Sequence, residues 1–166
     1  TLAFQPSEAT DVNVILRYLE ADGETWEWNG TDWVRQFPAT SPPARRDHVM
    51  AFDSTRGRIL LVGGNPSPIG GNSDFVLDDT WEWDGTAWQL RTLATVPAPR
   101  TGHAIAYDPL RMHVVLFGGL GPAGELGDTW TYDGLAWLRA VTPTAPSPRQ
   151  GHSFTFVSGS GVPGAG

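Results

Sequence analysis

The segment TWEWDGTAW, Thr80 to Trp88, is written three times in this chain. An earlier copy is TWEWNGTDW (Thr25 to Trp33), and a later one is TWTYDGLAW (Thr129 to Trp137). All eight tryptophans lie inside these copies. Asn-Gly and Asp-Gly are strong hairpin signals, because Asn, Asp and Gly tolerate the positive φ of a type I′ turn. A two-residue turn at Asp84–Gly85 sets Trp81 opposite Trp88, and the same pairing gives Trp26/Trp33 and Trp130/Trp137. A four-residue turn over Asp84 to Ala87 sets Trp83 opposite Trp88 instead. The shorter turn is the expectation.

Two further phrases keep the same step. ARRDHVMAFD (Ala44 to Asp53) matches PRTGHAIAYD (Pro99 to Asp108), and PRQGHSFTF (Pro148 to Phe156) begins the phrase again. RILLVGG (Arg58 to Gly64) matches HVVLFGG (His113 to Gly119), and NVILRYL (Asn13 to Leu19) is a worn copy. The tryptophans Trp26, Trp81 and Trp130 are 55 and 49 residues apart, as are the histidines His48, His103 and His152. The order within a repeat is Arg-x-x-His, an apolar run ending in Gly-Gly, then Thr-Trp through Trp.

Each apolar run has strand length and is rich in Val, Ile and Leu. The second repeat therefore predicts strands near His48–Phe52, Arg58–Val62, Thr80–Trp83 and Thr86–Leu90. The 20 Gly and 14 Pro fit many tight turns between short strands. An antiparallel four-stranded unit of about 50 residues with a Gly-Gly mark is the blade of a β-propeller. At these residues the chain resembles the kelch family, of the bacterial type found around the galactose-oxidase-like propeller. The expected fold is all-β, a propeller segment of kelch-like blades in an incomplete ring. A degenerate blade occupies residues 1–44, a second 45–97 and a third 98–146. The first strand of a further blade, with a Gly-rich tail, occupies 147–166.

Three copies of an aromatic pair read as packing between stacked blades rather than as a sugar platform. Gly63, Gly64, Gly118 and Gly119 read as places of close backbone approach, because no helix follows that could turn them into a phosphate loop. Tyr18–Leu19 stands at that place in the first repeat. His48, His103 and His152 occupy one position in successive blades and read as buried groups bonded to backbone, not as a zinc site. Asp78, Asp79 and Asp128 read as caps of the turn into the third strand.

The arginines carry the ligand expectation. Arg45, Arg100 and Arg149 each lie three residues before a repeated histidine, and Arg46 adds another guanidinium. The resemblance implies that this segment and the loop after Gly-Gly share one rim of the ring. A ring of arginines there suits a carboxylate or an acidic peptide, while the alternative is local pairing of each Arg with an Asp or a carbonyl. Asn65, Asn72 and Asp74, in the long loop NPSPIGGNSDFVLDD (Asn65 to Asp79), are further candidate ligand contacts.

A net charge of −7 argues against nucleic acid, and no apolar run is long enough for a transmembrane helix. Without cysteine there is neither a disulfide nor the cysteine-modified tyrosine that the copper site of the galactose-oxidase relatives needs. No catalytic residue, cofactor or metal is assigned. The expected role is a non-catalytic binding or scaffold module that recognises protein or glycan through rim loops. The alternatives are part of a carbohydrate-active propeller enzyme whose catalytic residues lie elsewhere, and purely structural self-assembling blades. The remaining blades are expected from the same longer chain or from other copies. The resemblance implies an extracellular or cell-envelope bacterial protein.

Overall fold

The run Arg58–Gly64 shows how the chain builds its sheets. Ile59 and Leu61 point to one side and Leu60 and Val62 to the other, and all four are at most 2% exposed. A strand buried on both faces reads as a continuous apolar run, which is why no polar residue interrupts it. In the computed structural model, residues 2–6, 12–16, 23–66 and 75–158 are described.

No helix occurs among the described residues. Strands β1 (Leu2–Pro6), β2 (Val12–Leu16), β3 (Thr25–Trp28) and β4 (Trp33–Gln36) form one antiparallel sheet in that order. Strands β5 (Val49–Asp53), β6 (Arg58–Gly64), β7 (Leu77–Trp83) and β8 (Trp88–Leu90) form a second. Strands β9 (Ala104–Asp108) and β10 (His113–Phe117) join β13 (Thr129–Tyr132) and β14 (Trp137–Ala140) in a third. A small hairpin, β11 (Leu120–Gly121) and β12 (Gly124–Glu125), follows Gly119. Tyr18 and the adjoining residues of the worn copy lie outside the described residues.

The sheets stack in chain order. Their first strands stand in a row, β1 beside β5 and β5 beside β9. Ala51, Leu60 and Val62 of the second sheet meet Ile105, Val114, Leu116, Trp130, Tyr132 and Trp137 of the third in one core cluster. The opposite face of the second sheet gathers Met50, Ile59, Leu61, Trp81, Trp83 and Trp88.

The hairpin turn differs from the shorter one expected. Trp83 pairs with Trp88, and Trp81 pairs with Leu90. The loop is four residues, Asp84 to Ala87, closed by a bond from the Asp84 N–H to the Ala87 carbonyl at 3.3 Å. Asp84 Oδ1 accepts from the backbone N–H of Thr86 and of Ala87, each at 2.8 Å, and from Thr86 Oγ1 at 2.7 Å. This side-chain-closed loop satisfies its donors without positive φ at Asp84, so only Gly85, at φ 93°, takes the left-handed backbone. Asn29 and Asp133 close the other two loops in the same way. The facing aromatic pairs are therefore Trp28/Trp33, Trp83/Trp88 and Tyr132/Trp137, with centroids 5.4, 5.4 and 5.0 Å apart.

Candidate functional site

The Arg-x-x-His segment and Gly-Gly meet at the junction of successive sheets, and the sequence dictates how closely. Gly63, at φ 58°, lies so near the next repeat that a Cβ there would fall 2.7 Å from the Arg100 carbonyl oxygen and 3.1 Å from the His103 ring. Gly64, at φ 100°, turns toward its own repeat, and a Cβ would fall 2.7 Å from the Arg46 carbonyl. The freed space is used for hydrogen bonds. The Gly64 N–H donates to Arg100 O at 2.9 Å, and Arg46 and Asn65 exchange backbone bonds at 2.9 and 2.8 Å. Gly118 and Gly119 repeat the arrangement against Arg149 and His103. The glycines therefore mark a seam between sheets.

In the first two phrases the leading arginine is drawn into that seam. Arg45 donates from Nε to Pro43 O at 3.0 Å and from Nη1 to Gly63 O at 3.0 Å, and its two terminal nitrogens grip both oxygens of Asp79. Arg100 does the same with Ala98 O at 2.9 Å, Gly118 O at 2.9 Å and both oxygens of Asp128 at 2.7 and 2.8 Å. The Arg45 and Arg100 side chains are 0% and 1% exposed. These two guanidinium groups are occupied by internal partners, which is the local pairing that the sequence left open. Planar, bidentate pairing of this kind is what arginine supplies and lysine does not.

Asp79 and Asp128, read from the sequence as turn caps, serve as the partners of these guanidinium groups. Each also accepts the indole N–H two residues on, Trp81 at 2.7 Å and Trp130 at 2.6 Å. Glu24 holds Trp26 in the same manner at 2.7 Å. Burial pushes the Asp128 carboxyl up, but the bonds from Arg100 and Trp130 outweigh it and hold the group below its ordinary range. The recurring acid two residues before the first tryptophan, Glu24, Asp79 or Asp128, is the signal that could have announced this pairing.

Arg149 is the third member of the series, and its surroundings differ. It keeps the local bonds, donating from Nε to Ser147 O and from Nη2 to Ser147 Oγ, both at 3.0 Å. It has no carboxylate partner among the described residues, and it is exposed. It borders an open groove of about 340 Å³ lined also by Phe117, Thr129, His152 and Phe154. Arg46 keeps part of its side chain at the surface, 3.7 Å from Asp47. Asn65 is buried and bridged to Arg46. Asn72 and Asp74 lie outside the described residues.

His103 is 3% exposed, and neither ring nitrogen makes a well-formed hydrogen bond. Burial, followed by the charges of Arg100 and His152, depresses its pKa to about 3, against a small opposing pull from the Val62 backbone. His103 is thus a neutral packing group. His152 stacks edge-on to Phe117 with centroids 5.5 Å apart. Among the described residues no three His, Asp or Glu side chains converge as a metal site would require.

A second set of bonds ties sheet to sheet. Trp83 Nε1 donates to Glu27 Oε1 at 2.9 Å, and Trp88 Nε1 to Thr25 Oγ1 at 2.9 Å. One sheet later, Tyr132 OH donates to Glu82 Oε1 at 2.7 Å, and Trp137 Nε1 to Thr80 Oγ1 at 3.0 Å. Burial, then the Glu82 carboxylate, raises the Tyr132 pKa, so its hydroxyl stays a donor. Residues at equivalent positions thus make equivalent bonds twice.

No protein-family model matches the chain, and no curated protein does. The functional reading therefore stands on these contacts and on the repeat. Among the described residues no helix is long and apolar enough to cross a membrane.

Proposed function

We propose that the three sheets are consecutive blades of a kelch-like β-propeller, and that this segment is a non-catalytic recognition or scaffold module. The observation that carries the reading is the repeated interlock, Trp83–Glu27 and Trp88–Thr25 followed by Tyr132–Glu82 and Trp137–Thr80. The same contacts made twice in succession call for similar rotations between sheets, and repeated similar rotations carry blades around an axis. The partly buried carboxylates of Asp79 and Asp128 and the buried one of Glu82 are taken up by arginine, indole and phenol donors. That is the chemistry of a scaffold rather than of an acid–base pair.

Recognition then belongs to the rim on which the Arg-x-x-His segments and the loops after Gly-Gly meet. With Arg45 and Arg100 held inside, the guanidinium groups of these phrases that face a protein or glycan are Arg46 and, in the single chain, Arg149. An extracellular or cell-envelope setting fits this role. The reading is tested by probing the full chain against glycan and acidic-peptide arrays. Binding that Arg46→Ala or Arg149→Ala weakens at least tenfold, with unchanged melting, is the expected result. Arrays without a hit, or binding indifferent to both substitutions, would overturn rim recognition.

A further inference from the structure

Two faces that are covered elsewhere in the stack stand open at its ends. Trp33 of the first sheet is 36% exposed, whereas its counterparts Trp88 and Trp137 are 4% and 1% exposed. At the other end, Thr129 and Thr131 take the places of Thr80 and Glu82. Both are partly exposed, whereas Thr25 and Thr80 are 3% and 1% exposed beneath the next sheet's indoles. The charges divide in the same way. Arg149 is the repeat arginine without a carboxylate among the described residues. Glu24, the repeat acid of the first sheet, is held instead by Arg35 of its own sheet at 2.5 Å.

We infer that the open third sheet receives a second copy of this chain, docked head to tail. Trp33 and Trp28 of the incoming copy donate to Thr129 and Thr131, and its Glu24 exchanges Arg35 for Arg149. Residues 153–157 have a part in this contact. Phe154 to Val157 line a cleft with Ala106 and Tyr107 of β9 and Val115 of β10, which sets them beside the first strand of the third sheet. They become the first strand of the joint sheet, in the place that Leu2–Pro6 holds in the single chain. The occupant is a copy of the chain because one chain carries both halves: indole donors and a carboxylate at one end, hydroxyl acceptors and a guanidinium at the other. The contact is heterologous, so it yields closed rings or open filaments. The inference rests on the stacked-blade reading above.

Sedimentation velocity of the full chain across a concentration series tests it. The expected result is reversible association above the 17.9 kDa of one chain, with a blue shift of indole emission as Trp33 is covered. Arg149→Glu, Glu24→Arg and Trp33→Ala should each move association to at least tenfold higher concentration. Combining Glu24→Arg with Arg149→Glu in one chain should restore it. Circular dichroism and melting of each variant separate loss of association from loss of fold. A single-chain mass up to about 1 mM, the weak end of specific binding, would overturn the second copy as occupant and leave a further sheet of the same repeat. Association that the charge reversals leave unchanged would overturn it equally. Acrylamide quenching keeps the two readings apart. Shielded Trp83 and Trp88 in a monomer leave the stacked blades standing, and freely quenched ones remove them.

Discussion

The Trp137 indole N–H donates to Thr80 Oγ1 at 3.0 Å, across the interface between two sheets and 57 residues along the chain. Trp137 and Thr80 are each 1% exposed, so neither group can turn to water for a replacement partner. A buried donor that loses its acceptor costs about 1–3 kcal/mol. Thr80→Val keeps the side-chain shape and removes only the hydroxyl. It should lower the free energy of urea unfolding by that amount. Thr129→Val, at the equivalent place with no indole above it, should change stability by less than about 0.5 kcal/mol in dilute solution. Equal effects would mean that the inter-sheet bond adds nothing.

Asp128 closes on a guanidinium that is 1% exposed. Removing one member of such a pair leaves a buried charge uncompensated, at about 3–5 kcal/mol, with the lower end apt here because the carboxylate keeps 14% of its surface. Asp128→Asn should therefore destabilise by about 3 kcal/mol in chemical denaturation. Replacing both partners, as Arg100→Met with Asp128→Leu, should recover only part of that loss, because the Ala98 and Gly118 carbonyls and the Trp130 indole N–H then lose their bonds. If the single substitution proves neutral, the pair is not a strut of the fold.

The strand pattern was open to a sequence reading because the repeat lets three imperfect copies vote on each position. The apolar runs, the Gly-Gly stops and the three hairpins all surfaced in that way. The turn length did not. Asp-Gly points to a two-residue loop, but Asp84 also carries a side-chain oxygen placed to accept from Thr86 and Ala87, and that local competition stabilises the longer loop. The arginine series was only half readable. Its period is visible, but whether a guanidinium faces water or Asp79 depends on two segments 34 residues apart meeting in space. The inter-sheet acceptors Thr25, Glu27, Thr80 and Glu82 are not legible in the sequence for a similar reason. Alternation along a strand says that they share a face, not which indole lies above it.

Gly63 is bounded by the Arg100 carbonyl at 2.7 Å from where a Cβ would stand, and backbone cannot swing away as a side chain does. Gly57 has nearly the same backbone, φ 62° against 58°, with nothing within 4 Å of that point. Comparing Gly63→Ala with Gly57→Ala therefore separates dihedral strain from steric collision. Gly57→Ala should cost about 1 kcal/mol, as left-handed backbone does for a residue with a Cβ. Gly63→Ala should cost about 3 kcal/mol or more, because the seam between sheets must also open. Equal thermal shifts for the two variants would show that the seam is not closely packed.

His103 links the same seam to pH. Its folded pKa, about 3, lies below the ordinary value of 6.5 because burial, with the charges of Arg100 and His152, disfavours the imidazolium. Above pH 6.5 the ring is neutral in both the folded and the unfolded chain, and its stabilising contribution is fully present. As pH falls from 6.5 toward 3 the unfolded chain takes up a proton that the folded chain refuses, so stability declines. The slope approaches about 1.4 kcal/mol per pH unit for one proton, and the total is of the order of 5 kcal/mol. Asp128, whose pKa is also held down, adds its own loss at the acid end, below the ordinary carboxylate value of 3.8. Unfolding by urea at half-unit steps from pH 7 to pH 4 should therefore show a stability falling with acid. His103→Gln, which cannot take up a proton, should reduce that slope by nearly one proton equivalent between pH 6 and pH 4. A slope that His103→Gln leaves unchanged would show that His103 does not carry this proton linkage.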